Sequence, residues 1–159
     1  MIAILADTHM PRGRRRLPDR YVEIIGEAEA VIHAGDLSER CVLDQLRDLC
    51  PVVHAVHGNV DEPALQASLP ASLEIEIGEH RLAIVHDAGP ARGRLARLRS
   101  RFPQADAVVF GHSHLPLHEA EDGFHIFNPG SPTERRRAPR ISMGVLACGR
   151  DLDFEHRWL

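Results

Sequence analysis

The sequence predicts an α/β-type fold in which two packed β-sheets carry helices on their outer sides. Residues 1–60 alternate short apolar runs with amphipathic segments, which is the pattern of parallel strands joined by helices. The remaining residues carry mainly short strand patterns, with one helical stripe between them. A chain of 159 residues suits one folded unit, so we assign residues 1–159 to a single domain.

The first part of the chain is predicted to form a βαβαβ unit with right-handed crossovers. Its strands are predicted at residues 2–6, 30–33 and 52–56. Ser38 is the expected N-cap of the second helix, and Pro51 is expected to end it. Apolar residues at helical spacing mark the two connecting helices: Tyr21, Ile24, Ile25 and Ala28 in the first, and Val42, Leu46, Leu49 and Cys50 in the second.

The second part begins with a predicted hairpin, because apolar and acidic residues alternate over residues 73–77 and the chain returns over 81–85. Leu95, Leu98 and Phe102 then mark a short helix with several arginines. Further strands are predicted at residues 107–110, 117–120, 124–127, 141–147 and 153–156.

Composition excludes several classes of function. The net charge is -4 and 43% of the residues are hydrophobic, so the chain is neither disordered nor suited to nonspecific nucleic-acid binding. All 19 basic residues are arginine, which excludes Schiff-base chemistry and lysine-dependent phosphate loops. No apolar run reaches the roughly 18 residues of a membrane span. The cysteines Cys41, Cys50 and Cys148 are odd in number and far apart, so we expect a reducing cytoplasm.

Polar side chains gather where the predicted strands end. In an α/β sheet such positions converge on one crevice. Bound metal would compensate the carboxylates in that crevice and use the imidazole lone pairs. The candidate metal ligands are Asp7, His9, Asp36, Asn59, His86, His112 and His114.

Taken one at a time, most of these motifs have an ordinary structural interpretation. Asp7-Thr8-His9 is compatible with a capping turn, Gly35-Asp36 with an Asx turn and Gly58-Asn59 with a turn dipeptide. A single His86 at a strand end is compatible with a hydrogen-bonded structural histidine. Gly111-His112-Ser113-His114 favours metal ligation, because two imidazoles two residues apart in an extended segment point the same way.

In this order the motifs resemble those of the calcineurin-like metallophosphoesterase superfamily, and in particular its compact bacterial and archaeal phosphodiesterases. The segment Asn128-Pro129-Gly130-Ser131 is also similar to one common in that subgroup. The resemblance covers about residues 1–131. It implies an α+β fold of α/β type, a four-layer αββα sandwich of two mixed β-sheets flanked by helices, with a site for two metal ions.

The resemblance also implies a division of the ligands. Asp7, His9, Asp36 and His114 would hold one divalent ion, and Asp36, Asn59, His86 and His112 the other, so that Asp36 bridges them. Mixed imidazole and carboxylate ligation suits Mn, which we expect first, or Zn, Fe, Ni or Co. A metal-bridging hydroxide is then expected to attack phosphorus, with Asp36, Asn59 and His86 in catalytic roles.

The sequence departs from the family pattern at two positions. Val60 stands where many larger relatives have a histidine that is a candidate proton donor, and valine cannot donate a proton. Asp61 is our candidate donor to the leaving group, with His57 or a metal-polarised water as alternatives. Asp87 replaces the usual glycine after the His86 position, and either orients that imidazole or caps a turn.

Two arginine clusters, at residues 12–16 and 135–137, lie in loops that start at the predicted crevice. Arg12 and Arg135 are candidate substrate contacts, because a guanidinium group suits phosphate. The alternative is that both clusters are solvated loops.

We therefore predict a cytoplasmic, dinuclear metal-dependent phosphodiesterase that acts on a small phosphoester. A phosphomonoesterase is one alternative, and a non-catalytic, protein-binding scaffold resembling a retromer subunit is another, although the intact ligand set argues against the scaffold. No membrane association is expected. Nucleic acid is disfavoured but left open as a partner, and the resemblance allows a homo-oligomer.

Overall fold

The computed structural model describes residues 1–159 and contains ten strands and four helices. In chain order these are β1 Ile2–Leu5, α1 Asp19–Gly26, β2 Ala30–His33, α2 Arg40–Leu49, β3 Val53–Ala55, α3 Pro63–Ser68, β4 Ser72–Ile77, β5 His80–Val85, α4 Arg94–Arg101, β6 Ala107–Val109, β7 Leu117–Glu121, β8 Phe124–Asn128, β9 Ser142–Cys148 and β10 Leu152–Trp158. None of the helices is both long enough and apolar enough to span a bilayer.

The strands form two mixed sheets of five strands each. The first has the order β10-β9-β1-β2-β3, with β1, β2 and β3 parallel. The second has the order β4-β5-β6-β8-β7, with β5, β6 and β8 parallel. Parallel strands place their carboxyl ends at one edge, so each sheet presents several loops at the same end.

Side chains alternate between the two faces of each strand, and this alternation creates the layers of the core. On β1, Ala3 and Leu5 face α1 and α2, whereas Ile2 and Ile4 face the second sheet. On β6, Val108 packs toward α4, and Val109 faces the first sheet. The fold is therefore a four-layer αββα sandwich, as predicted.

Two details of the secondary structure differ from the prediction. Ser38 is not the N-cap of α2, because the helix begins after Glu39 and the Ser38 hydroxyl has no hydrogen-bond partner. Ser38 instead has a positive φ of 92° and donates its backbone N–H to Asp61, so a tertiary contact overrides the capping preference. The short helix α3 was not predicted. It buries only Leu65, which leaves no helical stripe to detect.

Candidate metal centre

The structure brings all seven predicted ligands to one end of the sandwich. Each lies in a loop just beyond a strand. The first sheet supplies Asp7 and His9 after β1, Asp36 after β2 and Asn59 after β3, and the second supplies His86 after β5, and His112 and His114 after β6.

One group of ligand atoms surrounds the Asp7 carboxylate. The Nε2 atoms of His9 and His114 lie 3.1 Å apart, and the two rings stack with centroids 5.0 Å apart. Asp7 Oδ1 lies 3.5 Å from His114 Nε2 and 4.0 Å from His9 Nε2. These three side chains could hold a metal ion together.

A second group surrounds the Asn59 side-chain oxygen. Asn59 Oδ1 lies 3.1 Å from both His86 Nε2 and His112 Nδ1, and these two ring nitrogens are 3.3 Å apart. Two imidazole nitrogens and an amide oxygen form a donor set suited to a divalent transition metal.

The Asp36 carboxylate lies between the two groups. Its Oδ2 is 3.6 Å from His9 Nε2 and 3.3 Å from His86 Nε2. Its Oδ1 accepts a hydrogen bond from the backbone N–H of Val60 at 3.0 Å. One oxygen of Asp36 is thus fixed by the backbone while the other faces imidazoles of both groups.

Hydrogen bonds orient the imidazole ligands. His86 Nδ1 lies 2.8 Å from the carbonyl oxygen of Ala34, so this nitrogen carries the proton and Nε2 is free to bind a cation. His114 Nδ1 lies 3.4 Å from the carbonyl oxygen of Glu134. In both rings the nitrogen that faces the cluster is the one available as a ligand.

Burial and charge shift the pKa values of these groups in opposite directions. Burial raises the pKa of Asp7 to about 7. Burial alone would also raise the pKa of Asp36, but the hydrogen bond and charge of His86 outweigh it and lower that pKa to about 2. Burial and the positive charge of Arg136 lower the pKa of His114 to about 4. Without metal, about half of the Asp7 carboxyl groups are therefore protonated near neutral pH, whereas Asp36 is ionised.

Two observations show that the residues fit bound cations. Asp7 Oδ2 is buried without any hydrogen-bond partner, a cost that a cation would remove. In addition, the ligand backbones adopt left-handed conformations that non-glycine residues rarely occupy, as expected where function stores strain. The ligands with positive φ are Asp7, His9, Asp36, His112 and His114.

A segment after β8 holds the ligand loops in place. Asn128 Nδ2 donates to the carbonyl oxygen of Gly111 at 2.8 Å, and Ser131 Oγ donates to that of Asp7, also at 2.8 Å. Thr133 Oγ1 donates to the carbonyl oxygen of Thr8 at 2.7 Å. The sequence drew attention to residues 128–131 through the family resemblance, but no sequence signal pointed to Thr133.

Close approach explains two glycines of the motifs. A Cβ on Gly58 would collide with Asp36 Oδ1, and one on Gly111 would lie 2.8 Å from Ala6 Cβ and 3.1 Å from Asp7 Oδ2. Only glycine lets these loops approach the carboxylates so closely.

The acidic residues at the two departures from the family pattern bind backbone groups. Asp61 is buried, and its carboxylate accepts N–H groups of Asp36 at 3.1 Å, Ser38 at 2.6 Å and Gly58 at 2.7 Å. Asp87 Oδ1 accepts the N–H of Gly89 at 2.7 Å, so Asp87 caps a turn, while the His86 ring is oriented by Ala34.

The two predicted substrate contacts point to different places. Arg12 Nη2 donates to the carbonyl oxygen of Val60 at 3.3 Å, which places it beside the Asn59 loop. Arg135 Nη1 lies 3.5 Å from the carbonyl oxygen of Ala138, within its own loop.

A cavity of about 340 Å³ adjoins the second group of ligands. Asn59 and His86 form part of its wall, and His57 and Arg101 line it as well. This volume is within the range of small-molecule sites.

The α/β sandwich brings imidazole, carboxylate and amide donors together at its strand ends. This combination is typical of a class of metal-binding proteins. The calcineurin-like phosphoesterase superfamily domain matches residues 1–151, and the chain belongs to this family. The expected family is thus confirmed, and membership in it implies a metal-dependent phosphoester hydrolase.

Curated relatives agree with this assignment. A probable metallophosphoesterase of Methanothermobacter thermautotrophicus is 31% identical over 98% of this chain and 90% of the relative. Another, from Methanocaldococcus jannaschii, is 32% identical over 86% of this chain and 70% of the relative.

Solved structures share the fold. Wild-type Vps29 from Entamoeba histolytica, in complex with zinc, has a TM-score of 0.80 at 22% identity, with 99% of this chain and 98% of that chain covered. An archaeal phosphodiesterase has a TM-score of 0.76 at 21% identity, with 99% of each chain covered.

Proposed function

We propose that the protein is a dinuclear metal-dependent phosphodiesterase. The observation that supports this most directly is the position of Asp36, whose Oδ2 lies within 3.6 Å of His9 Nε2 and 3.3 Å of His86 Nε2. A carboxylate oxygen that faces imidazoles of both ligand groups supports a role for Asp36 as a ligand of two cations.

Asp7, His9 and His114 would hold one ion with Asp36, and Asn59, His86 and His112 the other. Divalent ions held by these residues would activate water for attack on phosphorus and would neutralise the charge that develops on the phosphoryl oxygens. The mixture of imidazole, carboxylate and amide donors favours manganese, with zinc, iron, nickel and cobalt as alternatives.

The chain itself supplies position and orientation. Val60 N–H fixes one oxygen of Asp36, and Ala34 fixes the His86 ring, so both ligands are aligned before any substrate arrives. The cavity beside Asn59 and His86 would accept one ester substituent of a small substrate. The likeness in fold to an archaeal phosphodiesterase supports a diester as the substrate.

For Asp61 we propose a positioning role in place of the predicted proton donation. Its two oxygens accept N–H groups from the Asp36 loop and the Asn59 loop together, so it ties these two ligand loops to each other. Asp61 is buried and both of its oxygens face backbone N–H groups, so neither oxygen is oriented toward a leaving group.

The alternative function is a protein-binding scaffold, which the likeness to Vps29 also fits. The complete ligand set favours the enzyme, because a scaffold has no need for a buried, unpartnered Asp7 oxygen. We further propose that the protein acts in the cytoplasm, since Cys41, Cys50 and Cys148 are all free.

The test is hydrolysis of bis(p-nitrophenyl) phosphate and of p-nitrophenyl phosphate by chelator-treated protein reloaded with Mn²⁺, Zn²⁺, Ni²⁺ or Mg²⁺. We expect metal-dependent turnover with preference for the diester, and two ions bound per chain by elemental analysis. Asp36→Asn should abolish turnover, whereas Asp48→Asn, an exposed matched control on α2, should not change it. Undiminished activity of Asp36→Asn would contradict the mechanism. A folded, metal-loaded protein with no turnover would favour the scaffold.

A further inference from the structure

Two arginine-rich loops that are remote in the sequence meet at a single carboxylate. Arg15 Nη2 lies 3.1 Å from Glu134 Oε1, and Arg136 Nε lies 3.4 Å from Glu134 Oε2. One arginine comes from the loop after β1 and the other from the loop after β8, so the fold assembles this trio from both ends of the chain.

The trio lies at the edge of the first ligand group. Glu134 approaches His114 Nδ1 with its carbonyl oxygen at 3.4 Å and its Oε2 at 4.0 Å. The adjacent Thr133 is hydrogen-bonded to the Thr8 backbone, between Asp7 and His9. The charge of Arg136 contributes to the lowered pKa values of His9 and His114, after burial.

Both guanidinium groups keep hydrogen-bonding capacity for a ligand. A guanidinium group has five N–H donors, and Glu134 occupies only part of each. The Arg15 side chain is 31% exposed and that of Arg136 is 49% exposed, so their remaining donors are accessible. Two cations and one carboxylate leave a net positive charge of about +1 at this edge.

The backbone of Arg136 provides an independent observation. Its φ is +45°, a left-handed conformation that costs a non-glycine residue energy and that recurs at active sites and ligand clamps. This conformation accompanies the contact of Arg136 with Glu134. The other arginines of the clusters are placed differently, since Arg12 contacts Val60 and Arg135 contacts Ala138.

We propose that Arg15 and Arg136, positioned by Glu134, bind a second, non-reacting phosphate group of the substrate. The substrate class is then a phosphodiester that carries an additional phosphate monoester, such as an ester of a nucleoside bisphosphate. This inference rests on the proposed phosphodiesterase function and adds a specificity determinant to it. Planar guanidinium groups suit phosphate because they donate paired hydrogen bonds to two of its oxygens.

The experiment compares two substrates that differ by one phosphate: thymidine 5′-(p-nitrophenyl phosphate) and the same ester with a 3′-phosphate. We expect the metal-loaded wild type to prefer the 3′-phosphorylated ester. Arg15→Gln and Arg136→Gln should each lower kcat/KM for that ester by about 10- to 100-fold, mainly through KM. Both variants should lower kcat/KM for the ester without the 3′-phosphate much less, so that the preference for the 3′-phosphorylated ester falls.

Arg137→Gln is the matched control, because Arg137 is an exposed neighbour in the same loop. Glu134→Gln should reduce the preference for the 3′-phosphorylated ester, since it releases the two arginines. Binding of thymidine 3′,5′-bisphosphate and thymidine 5′-monophosphate to the metal-loaded protein, measured by calorimetry, gives a second readout that does not depend on turnover.

Equal wild-type activity on the two esters, or equal losses on both in Arg136→Gln, would overturn this inference while leaving the phosphodiesterase intact. If neither ester nor bis(p-nitrophenyl) phosphate is hydrolysed, the proposed function fails. The inference is then also overturned unless the bisphosphate still binds more tightly than the monophosphate and Arg136→Gln removes that difference.

Discussion

Metal binding by the metal-free protein should depend steeply on pH, because a cation must displace a proton from Asp7. Burial raises the pKa of this carboxyl group to about 7, so below that value each pH unit lowers the apparent affinity about tenfold. Between pH 7.5 and 5.5 the Asp7 proton alone should weaken binding by about 20- to 30-fold. The pKa of His86 is also raised, since Asp36 outweighs its burial, and this steepens the dependence.

The assay is calorimetric titration of Mn²⁺ or Zn²⁺ into chelator-treated protein, in buffers of different ionisation enthalpy that count the released protons. Infrared difference spectra should show loss of a protonated carboxyl band when metal is added. That loss should be absent in Asp7→Asn and unchanged in Asp48→Asn. A metal affinity that is constant over this pH range, or a missing carboxyl band, would refute the reasoning.

The raised pKa of Asp7 also makes the stability of the folded protein depend on pH. The folded metal-free protein retains a proton on Asp7 that the unfolded chain releases above the ordinary aspartate pKa of 3.8. The contribution of Asp7 to stability therefore falls as pH rises from about 4 to about 7. Bound cations would remove this loss by favouring the ionised carboxylate.

Three further predictions concern the loops around the ligands and the histidines of both sheets. Gly58→Ala should reduce metal occupancy and turnover by at least about tenfold, because the added methyl group collides with Asp36 Oδ1. Elemental analysis measures the occupancy and steady-state kinetics the turnover. Unchanged occupancy would contradict this prediction. Ser131→Ala should lower the free energy of unfolding by about 1–2 kcal/mol, because it removes the hydrogen bond to the Asp7 carbonyl oxygen. Urea denaturation measures this change, and Ser100→Ala, at an exposed position, should have little effect. The contribution of three histidines to stability should fall as pH drops below about 6.5, because the unfolded chain takes up protons that the folded one resists, and replacement by glutamine should weaken this dependence. The histidines responsible have pKa values lowered chiefly by burial: His118, His125 and His156.

Much of the fold was predictable because its signals are local. Strand and helix periodicity located every strand and three of the four helices, and chain order with strand-end chemistry indicated where the polar side chains meet. The helix α3 escaped prediction because only Leu65 is buried in it. Ser38 has a favourable residue type for an N-cap, but its environment is set by Asp61, which lies far away in the sequence.

The supporting contacts of the site were beyond prediction for the same reason. Nothing in the sequence near Thr133 indicates that its hydroxyl binds the backbone of Thr8, since the two positions are 125 residues apart. The meeting of Arg15 and Arg136 at Glu134 likewise depends on how the two loops cross in space. Sequence patterns predict which residues are candidate ligands, whereas the contacts that orient these residues arise only when the sheets pack.

The division of the ligands between the two sheets has a mechanical consequence. Asp7, His9, Asp36 and Asn59 belong to one layer, while His86, His112 and His114 belong to the other. Cations held by this set would link the two sheets at this end of the sandwich. The stability of that end of the sandwich and the catalytic activity would therefore depend on the same few atoms. A substitution that lowers one should also lower the other.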